Sequence, residues 1–248
     1  LGLTLDDRQR AAFGLSFARL AATARSLKIM ATVYFSDLRE NLKVALALPV
    51  AGLHIDLVRG PGQLDVIMAK LPEHMTLSLG LVDGRNIWKS DLARAIATAD
   101  HAASTIGINR VVIAPSCSLM HAPVDLDTEP ELDVEMKSWL AFAHQKIGEV
   151  VTITHALNQS HGIGTDGDTD TGTLQENSRA MESRRGSSRI HNPDADEWIA
   201  SIDEAMYRRN NDYAERHRVQ QLSIRLPQFP TTTIGSFPQT PEIRKARA

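Results

Sequence analysis

A chain of 248 residues, 42% hydrophobic and 23% charged, with a formal net charge of −3, has an ordinary globular composition and room for one large domain or two small ones. That balance gives no sign of the basic surface that nucleic acid or an anionic membrane requires, and no apolar run approaches the ~20 residues needed to span a bilayer. The single cysteine, Cys117, excludes an internal disulfide and suits a reducing, cytoplasmic setting.

The chain opens Leu1-Gly2-Leu3-Thr4, with neither an initiator Met nor a basic stretch leading into an apolar one. No secretion signal is therefore expected, and the true N-terminus is expected upstream. Thr4 to Ser26 reads as an amphipathic helix capped by Thr4 or Asp6, with Ala12, Leu15, Ala18 and Ala22 at helical spacing. The β-branched run Ile29 to Phe35 predicts a strand. Asp37 should cap a helix carrying Leu38, Leu42, Ala45 and Leu46 as far as the Pro49 break. Gly52–Val58 is a second strand, Gly62–Lys70 a helix and Thr76–Val82 a third strand. Ser90–Thr105 is a helix capped by Ser90 or Asp91, Arg110–Ala114 a fourth strand, and Asp133–Leu157 one long helix.

Near-continuously apolar strands alternating with amphipathic helices predict a parallel sheet covered by helices. The fold class is α/β. A β/α barrel of about 250 residues contains eight such units, so the pattern amounts to half of one, with a small doubly wound domain as the alternative. Beyond Leu157, the Gly-rich stretch His161 to Thr173 reads as a flexible loop. Its Asp166, Asp168 and Asp170 lack the Glu spacing of a Ca²⁺ loop. A basic stretch, Ser183 to Arg189, is followed by a helical connector from Asp194 to Ser223 and a rigid extended linker from Leu226 to Pro230. Thr231-Thr232-Thr233-Ile234-Gly235-Ser236-Phe237-Pro238 then suits a strand that stops abruptly beside a hydroxyl and free backbone N–H groups, a place for a small ligand's carboxylate or amine.

Working residues of β/α units sit at the carboxyl ends of strands. Here those ends carry Tyr34-Phe35, Asp56 with Arg59, Asp83-Gly84-Arg85-Asn86, and Ser116-Cys117 through His121. Asp56 inside a strand is read first as a brace for a neighbouring loop, and second as a ligand-binding carboxylate. Cys117 and His121 offer a nucleophile pair, and His54, Asp56, Cys117 and His121 a mixed metal set. Both readings stand against an inert cysteine and a metal-free end. Arg85 and Asn86 can bind an anion or brace an adjacent loop. Arg184, Arg185 and Arg189 form a solvated connector in preference to a phosphate site.

The run Thr231 to Thr240, together with Leu53-His54-Ile55-Asp56-Leu57-Val58, Gly84-Arg85-Asn86-Ile87-Trp88, Ser116 to Leu126, Lys137 to Ala143 and Arg189-Ile190-His191-Asn192-Pro193, resembles the cobalamin-independent methionine synthase family. The likeness runs in order over nearly the whole chain and is weakest at Gly162 to Gly172. It implies a fragment: residues 1–160 as the C-terminal half of an N-terminal β/α barrel, 161–230 as loop and inter-barrel connector, and 231–248 as the start of a catalytic barrel. It also implies methyl transfer from 5-methyltetrahydropteroyl-polyglutamate to homocysteine in the parent. Zinc, and no cobalamin, would serve there, turning a homocysteine thiol of pKa about 8.5 into a thiolate.

The family's zinc ligands lie in the part of the catalytic barrel beyond this chain. Ala31 and Val33 align with its His and Cys, Asp56 with its Glu and Cys117 with its last Cys, so no metal is expected here. Ile234, Gly235 and Ser236 match the homocysteine-binding strand end, and no residue of this chain maps onto a catalytic one. The chain alone is expected to be inactive, and its half-barrel to self-associate through open edges. The alternative is a non-catalytic α/β scaffold or binding fragment. A uroporphyrinogen-decarboxylase-like barrel fits less well, lacking the connector and the Thr231 strand.

Overall fold

The computed structural model describes residues 1–163, 171–231 and 240–247. They fall into two compact units, Leu1–Ile190 and His191–Ala248. The first unit opens with α1 (Asp7–Thr23), fixed by a capping box. Asp6 accepts from the Gln9 backbone at 2.8 Å, and the Gln9 side chain accepts from the Asp6 N–H at 2.9 Å. The predicted stripe of Ala12, Leu15, Ala18 and Ala22 faces solvent. Phe13 and Phe17, stacked with centroids 6.3 Å apart, are half-buried instead, and Phe17 reaches the core. Two rings one turn apart hide more apolar area than alanines do.

Four parallel strands follow in the order β1 (Met30–Thr32), β2 (Gly52–Asp56), β3 (Thr76–Val82) and β4 (Val111–Pro115). Their register sets Ala31 beside Leu53, Ile55 beside Leu79, and Leu79 beside Ile113. Between them lie α2 (Leu42–Leu46), α3 (Leu64–Met68) and α4 (Leu92–Ile106). Leu53, Ile55, Leu77 and Leu79 are fully buried under Ala95, Ala99, Ala102 and Ala103 of α4, small residues that let helix and sheet approach closely.

Several boundaries differ from the sequence reading. β2 stops at Asp56 because that side chain captures the N–H groups of Val58 and Arg59, turning the chain out of the sheet. Asp37 caps nothing. It pairs with Arg39 at 2.7 Å, and a 3-10 turn precedes α2. The expected helix Asp133–Leu157 is two helices, α5 (Val134–Trp139) and α6 (Ala143–Ser160). They break where Leu140 bridges Trp88 and Ala141 donates to Ile87 O at 2.8 Å. Leu140 and Phe142 there join Leu126 in a second small core, so tertiary pairing overrides the helical pattern.

Helix α7 (Thr171–Gly186) forms where loop and basic stretch were read. Asn177 anchors it, accepting from Leu92 N at 3.2 Å and donating to Ser90 O at 2.9 Å. In the second unit the connector helix is also divided, into α8 (Pro193–Ala200) and α9 (Tyr213–Ile224), with α10 (Pro241–Arg247) after them. Asp203 turns the chain between α8 and α9 by accepting from the N–H groups of Ala205 and Met206, a local bond that competes with the helix. No helix among the described residues is long and apolar enough to cross a membrane.

Candidate functional site

The carboxyl ends of the four strands converge on His54, Asp56, Asp83–Asn86 and Ser116–Cys117. Asp56 is 1% exposed and accepts three backbone hydrogen bonds, from Phe35 at 2.9 Å, Val58 at 2.9 Å and Arg59 at 2.8 Å. It braces loops, as the first sequence reading has it. Phe35 is held in the left-handed region at φ 70°, a conformation that costs a bulky residue energy and persists only when its surroundings impose it.

Beside Asp56, His54 is buried between Ser78 Oγ at 2.9 Å from Nδ1 and Ser116 O at 3.3 Å from Nε2. A carbonyl only accepts, so the network assigns the proton to Nε2, and Nδ1 accepts from the Ser78 hydroxyl. Burial pushes the His54 pKa down, against smaller upward pulls from Ser116 and Asp56. The native ring therefore resists a proton that the unfolded chain takes up near the ordinary histidine value of 6.5. His54 thus contributes stability above that pH and loses it as pH falls toward the depressed folded value. Denaturant unfolding followed from pH 7 to 5 should show a loss of up to about 1.4 kcal/mol per pH unit that His54→Gln reduces. Parallel pH slopes for the two proteins would contradict this placement.

These donors do not fit a zinc ion. Both His54 ring nitrogens and both Asp56 oxygens are already bonded. Burial pushes the Cys117 thiol up, where a metal needs a thiolate. Among the described residues no group of three or more His, Cys, Asp or Glu side chains gathers to hold a metal. Nor does the structure join Cys117 to His121. The thiol faces Ser118 O at 3.7 Å, while the His121 ring lies 5.6 Å from that of Phe35.

Asp83 organises the loop after β3. It accepts from Arg59 at 3.1 Å, the Arg85 N–H at 2.9 Å and the Asn86 amide at 2.8 Å. Asn86 is a brace, taking the Trp88 N–H at 3.1 Å and the Lys146 ammonium at 3.3 Å. Gly84 is required by space. A Cβ there would stand 2.7 Å from Cys117 O, so the loops after β3 and β4 interlock only without a side chain.

Sequence reasoning missed Lys146 and Glu149. Both are buried. Lys146 also donates to Trp88 O at 2.9 Å, and Glu149 accepts from Ser90 N at 2.8 Å and Ser90 Oγ at 2.7 Å. Burial lowers the Lys146 pKa and raises that of Glu149. A signal existed: Lys146, Glu149, Ile153 and Leu157 form the buried stripe of α6, so two charged residues fall on core-facing positions.

The basic stretch is partnered. Arg184 lies over the Trp88 ring at 4.0 Å, and Arg189 pairs with Asp133 at 2.8 Å and Glu135 at 3.4 Å. The Arg189 hydrogen bond, more than the α5 backbone, holds the Asp133 carboxyl at about 2. Asp166, Asp168 and Asp170, like Ile234, Gly235 and Ser236, lie outside the described residues.

Parallel βα units with braced loops gathered at one end of the strands define an α/β protein. Residues 1–107 match the family described as cobalamin-independent synthase, N-terminal domain. The chain is 46% identical over its full length to the 5-methyltetrahydropteroyltriglutamate–homocysteine methyltransferase of Rhodopseudomonas palustris (strain ATCC BAA-98 / CGA009), covering 31% of that protein. The enzyme of the same name from Syntrophotalea carbinolica is 51% identical over 93% of the chain, which covers 29% of it. That from Mesorhizobium japonicum is 43% identical over the full chain, covering 31%. The chain thus spans about a third of the length of these relatives.

Proposed function

We propose that this chain serves a cobalamin-independent methionine synthase that transfers a methyl group from 5-methyltetrahydropteroyl-polyglutamate to homocysteine in the cytoplasm. The observation that carries the reading is identity of 43–46% sustained over all 248 residues with enzymes named 5-methyltetrahydropteroyltriglutamate–homocysteine methyltransferase. Residues 1–160 are half of a non-catalytic (β/α)₈ barrel, 161–230 the link between barrels, and 231–248 the start of the catalytic one. Supporting the half-barrel are β1 and β4, each paired on one side alone among the described residues, with Val112 of β4 exposed. Alone, such a half self-associates through those edges.

Zinc belongs to the catalytic barrel, outside this chain, in keeping with the committed donors at His54, Asp56 and Cys117. Within this stretch Ile234, Gly235 and Ser236 position homocysteine through backbone and hydroxyl contacts. In the full-length enzyme Ser236→Ala should lower kcat/KM for homocysteine about tenfold to a hundredfold, the worth of one hydrogen bond to a charged ligand group. The KM for the folate should stay unchanged. Unaltered homocysteine kinetics, or a loss confined to the folate, would remove the assignment.

A further inference from the structure

Arg85 and Asn86, one motif in the sequence, do different work in the structure. Asn86 is committed to Asp83, Trp88 and Lys146. Arg85 uses only its backbone N–H for bracing, and its side chain is exposed. Its guanidinium lies over the Phe35 ring, 4.6 Å from the centroid. Among the described residues the neighbouring Arg59 is neutralised by Asp83, whereas no ion pair includes Arg85.

Phe35 itself is placed by other groups. The buried Asp56 carboxylate holds its N–H at 2.9 Å and its backbone at φ 70°. Tyr34 meets its ring edge-on at 4.8 Å, and the His121 ring lies at 5.6 Å. Loops after β1, β3 and β4 thus bring one unpaired cation and a half-exposed aromatic cluster together at the carboxyl ends of the strands. Ligands of open parallel sheets bind at those ends.

We propose that Arg85, steadied on Phe35, anchors the carboxylate of a small aromatic acid, whose ring lies against Tyr34, Phe35 and His121. A guanidinium stacked through its face keeps its in-plane N–H fork free, and that fork matches the two oxygens of a carboxylate. Stacking also removes part of the side-chain entropy that an exposed arginine loses on binding. The proposal stands whether or not the chain belongs to a methyl-transferring enzyme.

The test is fluorine NMR of 4-fluorobenzoate titrated with the full chain, its fold checked by circular dichroism. Saturable binding near ~1 mM is expected, weakened at least about tenfold by Arg85→Ala and also by Arg85→Lys, which keeps the charge but loses the fork. Arg19→Ala, an exposed arginine of α1, should leave binding unchanged. Phe35→Leu should abolish the preference for benzoate over acetate in competition. Binding that survives Arg85→Ala, no saturation by 20-fold the concentration expected (~20 mM), or displacement by inorganic phosphate as effective as by benzoate would each overturn the assignment.

Discussion

Asp56→Ala is expected to destabilise the Leu1–Ile190 unit by about 3 kcal/mol, read as a lowered urea midpoint. The wild-type carboxylate is buried and serves three N–H groups from two loops. Alanine leaves all of them without their acceptor. Those of Val58 and Arg59 lie in a turn with partial access to water, which is why the figure stays below the sum of three orphaned donors. Asp56→Asn, which keeps one acceptor oxygen, should cost about 1 kcal/mol. The Phe35 donor has the additional task of holding a left-handed residue, so Asp56→Ala should also weaken aromatic-acid binding at Arg85. A midpoint change worth under about 1 kcal/mol for the alanine variant would show that the brace is not what holds these loops.

Gly80→Ala should cost as much, about 3 kcal/mol, for a different reason. A Cβ at Gly80 would stand 2.7 Å from Ile55 O and 2.8 Å from the Ser116 Cα. Both are backbone atoms of the flanking chain, so no rotamer change relieves the clash and the sheet must open. Gly14 in α1 is the control. A Cβ there meets nothing within 4 Å, and Gly14→Ala should stabilise by about 0.5–1 kcal/mol through helix propensity and a less flexible unfolded chain. A Gly80→Ala protein as stable as wild type would place β4 farther from β3 than the structure has it.

Much of the site was legible in part. The position of Asp56 in an apolar strand marked it as a loop brace, and the strand-end location of Arg85 and Asn86 marked them as anion-binding or bracing. Which of the two did which was not legible, because it depends on Asp83, Lys146 and Phe35 arriving from other elements. The commitment of His54 to Ser78 and Ser116 was equally hidden: its partners lie 24 and 62 residues away. Lys146 and Glu149 carried a usable signal in their spacing with Ile153 and Leu157, but recognising them needs α6 to begin at Ala143. The expected single helix from Asp133 obscured that start.

Local pattern alone determined the parallel α/β class, β3 from Thr76 to Val82, and α4 with its cap narrowed to Ser90 or Asp91, of which the structure uses Asp91, since apolar runs, helical spacing and caps act over a few residues. Tertiary contacts decided where elements stop. Asp56 ends β2 by taking its own downstream N–H groups, Leu140 and Ala141 break a helix by pairing with the Ile87–Trp88 loop, and Asn177 fastens a polar segment as α7. In each case a hydrogen bond or buried side chain supplied from a distant element, or a side chain bonding its own backbone, outweighs the fraction of a kcal/mol per residue by which propensity favours continuing.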